Sequence, residues 1–258
     1  MNLIEYSRMY EAEERHWWYV GLHKLIMAAV QRESARLGRP LTIFDAGCGT
    51  GRLCQLLTAQ GHTVSGCDFS EEALRLCRLR GVTDTFPADL NSIELDEESY
   101  DVITSIDVLY HRGVSDDAAV MRRLQRALKP GGLLILNLVA HEFLRSSHDI
   151  AVHTRERYTR GILCQRLQSA GFTIASSTYR VSLLFPLIVA YRLLSQSAVH
   201  SGADPVAVAS DVAMPPPMIN SLLLKVIDVE NMILTLTSLP FGSSVFVAAR
   251  KQYVPYEE

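Results

Sequence analysis

Apolar positions along the chain fall first into a helical period and then into an alternation of strands and helices. Residues 1–37 read as two helices with Trp17, Trp18 and Tyr19 between them; Leu22, Leu25, Ile26, Ala29 and Val30 give the second an apolar face. Leu41–Ala46 (LTIFDA) is a short apolar run that ends directly in glycines, the mark of a buried strand. The pattern then predicts a helix over Arg52–Ala59, a strand over His62–Asp68 and a helix over Glu71–Arg80, capped by Ser70 with acidic residues in its first turn. A weak strand over Asp84–Ala88 follows, then a strand over Tyr100–Ser105. A helix over Asp116–Leu128 is ended by Lys129-Pro130-Gly131-Gly132, and Leu133–Val139 is apolar throughout, as a central parallel strand should be.

Further on, the expected elements are a helix over residues 155–170, a strand over Phe172–Arg180 and a last strand over Ser244–Arg250. Strand–helix alternation with short connections specifies an α/β fold: a doubly wound, mostly parallel sheet with helices on both faces. Residues 181–239 are more than such a sheet needs. They hold two apolar helices separated by a loop with Pro205 and Pro215-Pro216-Pro217. The chain therefore divides into an N-terminal helical lid (1–40), an α/β domain (41–180), an apolar helical cap (181–239), and a last strand with its tail (240–258).

Composition narrows the classes. The chain has 258 residues, 48% of them hydrophobic, enough for one full core and a modest extra element. Its net charge of −3 offers no basic surplus, so nucleic acid is not an expected partner. Five cysteines, an odd number with no CxxC pair, read as reduced thiols, and no Cys/His cluster has metal-ligand spacing, so no metal is expected. The acidic, polar start lacks a signal-peptide core, which gives a cytoplasmic expectation. Val181–Leu194, the longest apolar stretch, is broken by Pro186 and Arg192 and is shorter than the ~20 residues a bilayer span takes.

The chemistry begins at Asp45-Ala46-Gly47-Cys48-Gly49-Thr50-Gly51, between the first strand and a helix. Glycines there let the backbone turn tightly and approach a ligand closely. A dinucleotide loop would carry a third glycine where Arg52 stands, and Asp45 would repel a pyrophosphate; an ammonium or sulfonium suits it better. Asp68 ends the second strand, where a carboxylate can accept ribose hydroxyls. Asp89 follows the third strand, in reach of an adenine amino group. A nicotinamide-dependent oxidoreductase is thus the enzymatic alternative, opposed by Arg52 and Asp89. A non-catalytic cofactor-binding scaffold is the other.

DAGCGTG, GCDFS, ADL and YDVITSIDVLYH, spread over residues 41–140, resemble the class I S-adenosylmethionine-dependent methyltransferase family. The resemblance implies a seven-stranded sheet with a reversed last strand, here SSVFVAARK. It also implies S-adenosylmethionine as cofactor and S-adenosylhomocysteine as product, held by Asp45, Gly47, Cys48, Gly49, Asp68, Phe69, Asp89 and Leu90, with Ser105 and Ile106 beneath the methionine part. Glu13 to Tyr19 (EERHWWY) is similar to a bacterial subgroup of that family, whose HD…H.RRY block corresponds to His148–Tyr158. Glu156 stands where that subgroup has a second arginine, and His23 where it tends to have one.

Methyl transfer to a hydroxyl needs a base near the carboxyl ends of the fourth and fifth strands. Of His16, His111, His148 and His153, which could reach that rim, His148 with Asp149 is the expected base pair. His153, Arg155 and Arg157 are candidates for holding a carboxylate or phosphate. His111 is a further rim candidate, and Trp18 and Tyr19 are a candidate lid. The expected acceptor is a small molecule, an oxygen nucleophile in a natural product or a glycan or lipid intermediate. The apolar cap offers a surface for a lipid-like acceptor, a membrane interface or a second copy of the chain.

Overall fold

The computed structural model describes residues 3–146, 149–150, 152–200 and 214–252, with backbone alone for residue 3 and residues 193–200. Two helices, α1 (Leu3–Ala12) and α2 (Trp17–Leu37), precede the sheet. The chain continues through β1 (Thr42–Ala46), α3 (Arg52–Ala59), β2 (Thr63–Asp68), α4 (Glu71–Leu79), β3 (Thr85–Pro87), β4 (Tyr100–Ile106), α5 (Asp117–Ala127) and β5 (Leu128–Val139). It closes with α6 (Arg160–Ser169), β6 (Phe172–Arg180), α7 (Phe185–His200), α8 (Pro217–Leu234) and β7 (Ser244–Lys251).

The seven strands lie in the order β3-β2-β1-β4-β5-β7-β6. The first five are parallel, and β7 inserts antiparallel between β5 and β6. Strand alternation sends side chains to two apolar layers. Phe44, Ile103, Leu134 and Leu136 pack with Met121 and Leu124 of α5 and with Leu163 and Leu167 of α6. On the other face Ile43, Val102 and Ile135 pack with Leu22 and Ile26 of α2, Leu57 of α3 and Leu74 of α4. This is the expected doubly wound architecture, with its reversed last strand.

Four local expectations give way. Trp17, Trp18 and Tyr19 do not lie between the helices but form the first turn of α2, because His16 caps it by accepting the Trp18 N–H at 3.3 Å on Nδ1. β5 begins at Leu128, earlier than the glycines suggest, since Leu128 already pairs with Tyr100 before the register shifts. The helix expected from residue 155 starts only at Arg160. Thr154 bridges His111 and Tyr158 bridges Ala140, which keeps 154–158 extended, and Thr159 caps α6 through Ile162 N–H at 3.3 Å.

The fourth concerns the cap. Of the two described cap helices α7 lines the cavity at the sheet rim, whereas α8 lies along α2. Asn220 accepts the Trp17 N–H at 3.0 Å and donates to the Arg15 carbonyl at 2.7 Å, and Lys24 pairs with Asp228 at 2.7 Å. Fully buried Ile227 lies so close to Gly21 that a Cβ there would meet Ile227 Cγ2 at 2.3 Å. Buried Glu230 ties α8 to the end of β6 by accepting the Val181 and Leu183 N–H groups at 2.6 and 3.0 Å. No helix among the described residues is long and apolar enough to cross a membrane.

Candidate functional site

The carboxyl ends of β1, β2 and β4 open onto a cavity of about 930 Å³. Its floor is the glycine loop. Gly47 and Cys48 both donate their N–H groups to the Cys67 carbonyl, at 2.9 and 2.8 Å, which pins the loop to β2. Gly47 has φ +88°, and a Cβ there would meet Val108 Cγ2 at 2.4 Å. Gly49 has φ +55°, and a Cβ there would meet Met9 Cε at 2.8 Å. Both positions need glycine for the backbone conformation, and Gly47 needs it for space as well, whereas the Met9 methyl over Gly49 can move aside.

Around the loop stand three aspartates. Asp45 is buried, accepts Thr104 Oγ1 at 2.6 Å and lies 3.5 Å from Cys54 Sγ; burial pushes its carboxyl up to about 6. Asp68 accepts the Gly49 N–H at 3.0 Å on one oxygen and the Ser70 N–H at 2.9 Å on the other, where Tyr6 Oη also donates at 3.4 Å. Its carboxyl too is raised by burial. Asp89 is exposed and accepts the Asn91 backbone and side-chain N–H groups at 2.9 and 2.6 Å. Cys48, Phe69 and Leu90 line the cavity beside them, Phe69 with 78% of its surface exposed. Ser105 does not join: it is buried, and its hydroxyl donates to the Ala46 carbonyl at 2.9 Å, tying β4 to β1, while Ile106 lines the cavity instead.

Helix α1, part of the expected N-terminal lid, closes this half from above. Tyr6 and Met9 line the cavity, and buried Glu13 is the anchor. Glu13 accepts the Thr50 hydroxyl and Arg80 Nη2, the latter at 3.1 Å; Arg80 also donates to the Tyr10 carbonyl at 2.6 Å and stacks 4.0 Å over the Tyr10 ring. Burial pushes the Glu13 carboxyl up to about 7.

The other half of the cavity is apolar and aromatic. Trp17, Trp18 and Tyr19 all line it, with the Trp18 and Tyr19 rings edge to face at 5.0 Å. His111 and His153 stack at 5.6 Å, and both are held below the usual imidazole range by burial, His111 at about 4. From the cap come Ile188, Tyr191 and Arg192. Leu187 and Ile219 point elsewhere, 69% and 51% exposed, and Phe185 packs on the rings of His141, Phe143 and Phe241.

Of the expected His148–Asp149 base pair the structure describes Asp149 alone. His148 lies outside the described residues. Asp149 is buried and committed to Arg157, which grips it in a fork at 2.9 Å from both Nε and Nη2 and donates to the Ala140 carbonyl at 3.0 Å. The Ser146 N–H donates to Asp149 as well, at 2.7 Å. Of the expected anion-holding set, His153 and Arg157 line the cavity, whereas Arg155 turns to Glu156 at 2.6 Å and to the Val114 carbonyl. Among the described residues no group of three or more His, Cys, Asp or Glu is arranged to hold a metal ion.

Sequence reasoning missed Asp107. It lines the cavity just past β4 with φ +58°, and the Asn137 side-chain amide donates to both its oxygens, at 3.2 and 3.1 Å. An acidic residue directly after the fourth strand was the available signal.

Comparison with known proteins bears on the family and the fold. Residues 44–136 match the model of a methyltransferase domain. A ubiquinone biosynthesis O-methyltransferase from Pseudomonas paraeruginosa is 30% identical over 153 residues, which cover 54% of this chain and 65% of that protein, so the chain spans just under two thirds of that relative's length. Among solved structures, an S-adenosylmethionine-dependent methyltransferase from Mesorhizobium loti superposes with a TM-score of 0.55 at 19% identity, covering 82% of this chain and 91% of that one. A phosphoethanolamine N-methyltransferase from Haemonchus contortus, in complex with S-adenosyl-L-methionine, gives 0.53 at 18% identity, covering 83% and 49%. At these identities the two structures speak to the fold alone.

Proposed function

We propose, from the premise that this chain belongs to the class I S-adenosylmethionine-dependent methyltransferases through its domain at residues 44–136, that it methylates a hydroxyl of a small, largely apolar acceptor. The observation that carries the reading is one cavity of about 930 Å³ joining the glycine loop to an aromatic chamber under α7. That volume is at the upper end for a single ligand, which suits a cofactor and an acceptor side by side.

The residues fit the cofactor. Gly47 and Gly49 hold the left-handed turns that present the loop backbone to the cavity, and Asp45, buried with no cationic partner among the described residues, complements an ammonium and a sulfonium. Asp68 would accept the ribose hydroxyls; Asp89 would take the adenine amino group, with Cys48, Phe69 and Leu90 against the ring. Bound there, S-adenosylmethionine supplies an electrophilic methyl carbon on sulfur. The protein's part is alignment and exclusion of water. Trp17, Trp18 and Tyr19 wall the acceptor chamber, α1 covers the glycine loop, and Ile188 and Tyr191 shape the cap side. Arg157, locked by Asp149, presents fixed donors rather than a mobile charge.

The relative named a ubiquinone biosynthesis O-methyltransferase supports an oxygen as the acceptor atom, and phenols are the probes chosen for it. Five free thiols fit a reducing, cytoplasmic setting. The exposed apolar residues Leu187, Met218 and Leu222 make the cap a candidate for contact with a membrane surface or a second copy. Incubation with methyl-labelled S-adenosylmethionine and a panel of phenols and catechols tests the reading: label should move to a phenol. Binding of NADH in place of S-adenosylmethionine would favour the oxidoreductase, and cofactor binding with no label transferred to any hydroxyl would favour a scaffold.

A further inference from the structure

Asp107 occupies a backbone conformation that few side chains adopt, φ +58°, at the end of the strand that floors the acceptor chamber. Such a position persists only when its surroundings hold it, and here they do. Its N–H donates to the Asn137 carbonyl at 2.8 Å, and its carboxylate receives the Asn137 amide. Asn137 in turn accepts Arg180 Nη1 at 3.4 Å, which fixes the amide with its NH₂ toward Asp107. Arg180 is fully buried, and its Nε and Nη2 have no hydrogen-bond partner among the described residues. Three strands therefore converge on one carboxylate: Arg180 from β6, Asn137 from β5, Asp107 from β4.

The other acids on the cavity wall are engaged differently. Asp45 and Asp68 belong to the glycine loop, Asp89 to its Asn91 turn, Glu13 to Thr50 and Arg80, and Glu5 pairs with Arg8 at 2.7 Å. Glu5, Glu13 and Asp107 all lie near Tyr19 of the acceptor half, but Glu5 and Glu13 are held by arginines and Asp107 by a neutral amide. We propose that Asp107 is the group that receives the proton of the acceptor hydroxyl. This rests on the reading of the cavity as a hydroxyl-methylating site.

The step balances simply. The acceptor oxygen forms a bond to the methyl carbon, the carbon–sulfur bond breaks with its electron pair left on sulfur, and the hydroxyl proton passes to the Asp107 carboxylate, from which it returns to water. Burial pushes the Asp107 carboxyl up to about 7, against the opposing pull of Asn137 and Arg180. A base near the working pH is the efficient one, and the chamber's histidines, held low, are weaker proton acceptors. The other titratable groups facing Asp107 are Tyr19 from α2 and Tyr110 from the turn after β4, both pushed upward by burial and neutral.

The test uses the wild-type protein and Asp107→Asn, saturated with S-adenosylhomocysteine and titrated with catechol between about pH 5.5 and 8.5. Asparagine tolerates the same left-handed conformation, so the backbone is preserved. Catechol stays protonated over most of this range and donates best to an ionised carboxylate. Wild-type affinity should rise about tenfold through pH 7, and that rise should vanish in Asp107→Asn. With S-adenosylmethionine, methylation of catechol should fall about 10²–10⁴-fold in the variant, and the acid limb of the wild-type pH–rate profile should disappear. Affinity for S-adenosylhomocysteine should stay within about threefold. A pH dependence that survives in the variant, or unchanged turnover, overturns the proposal. So does a tenfold or greater loss of S-adenosylhomocysteine affinity, which would make Asp107 a cofactor ligand. Catechol that neither binds nor is methylated by the wild type sinks the hydroxyl reading and this role with it, and is recognised by failure before any substitution.

Discussion

Replacing Asp68 by alanine should weaken the cofactor and loosen the glycine loop together, whereas Tyr6→Phe should do neither. A carboxylate has about four lone-pair sites. Three are in use: Gly49 N–H on one oxygen, Ser70 N–H and the long Tyr6 contact on the other. One site remains for a ribose hydroxyl, and the Tyr6 bond, at 3.4 Å, is the one a second hydroxyl can displace. Hydrogen bonds to a charged acceptor contribute about 1.5–3 kcal/mol, so losing them should reduce affinity for S-adenosylhomocysteine about 10- to 150-fold. Asp68→Ala also strands the Gly49 and Ser70 N–H groups, at about 1–3 kcal/mol of fold stability if water does not reach them. Asp68→Asn keeps one acceptor oxygen and should fall between. Calorimetry gives the affinities and thermal unfolding gives the stabilities. Wild-type affinity in Asp68→Ala, or a loss in Tyr6→Phe as large as in Asp68→Ala, would refute this assignment.

Glu13→Gln should gain on the wild type as pH rises. The wild-type carboxyl is raised to about 7 in the folded state, so its favourable contribution is complete below the ordinary glutamate range and is lost as pH climbs to 7. The variant's relative stability should therefore improve by up to about 3 kcal/mol between pH 4.5 and 7.5, read from denaturant midpoints; a flat difference contradicts the buried anchor. Asp149→Asn leaves the Arg157 guanidinium, 7% exposed, without its partner and should cost about 3–5 kcal/mol while cofactor affinity holds. An Asp149 that can be replaced without thermal shift would show the fork to be dispensable. Ile188→Asp should weaken catechol but not S-adenosylhomocysteine, while Ile227→Ala, against Gly21, should cost about 2–5 kcal/mol of stability and leave both ligands bound. Equal effects of the two on catechol would remove the distinction between α7 and α8.

The sheet and its cofactor rim were legible because they are local. The LTIFDA run ending in glycines, the aspartates one strand apart and the apolar LLILNLV each state their place within a few residues. What could not be read are contacts made across the chain. That Asp149 also holds the guanidinium eight residues on could not be read from its adjacency to His148. The apolar cap helices look equivalent in pattern, yet the Asn220 and Asn231 contacts to the backbone of Arg15, Trp17 and Gly21 draw α8 onto α2 and leave α7 alone at the chamber. Asp107 was overlooked because its significance comes from Asn137 and Arg180, 30 and 73 positions away: direct β4–β5 pairing sets Asn137 beside it, and the Arg180 side chain reaches Asn137 from β6 across β7.

The account stands on a methyl donor held at the glycine loop. Calorimetric titration of the wild-type protein with S-adenosylmethionine, and separately with NADH, addresses it without knowledge of the acceptor. One-to-one binding of S-adenosylmethionine, abolished in Gly47→Val and unaccompanied by any NADH heat, is the predicted result. Binding of NADH, or S-adenosylmethionine affinity that survives Gly47→Val unchanged, would contradict it.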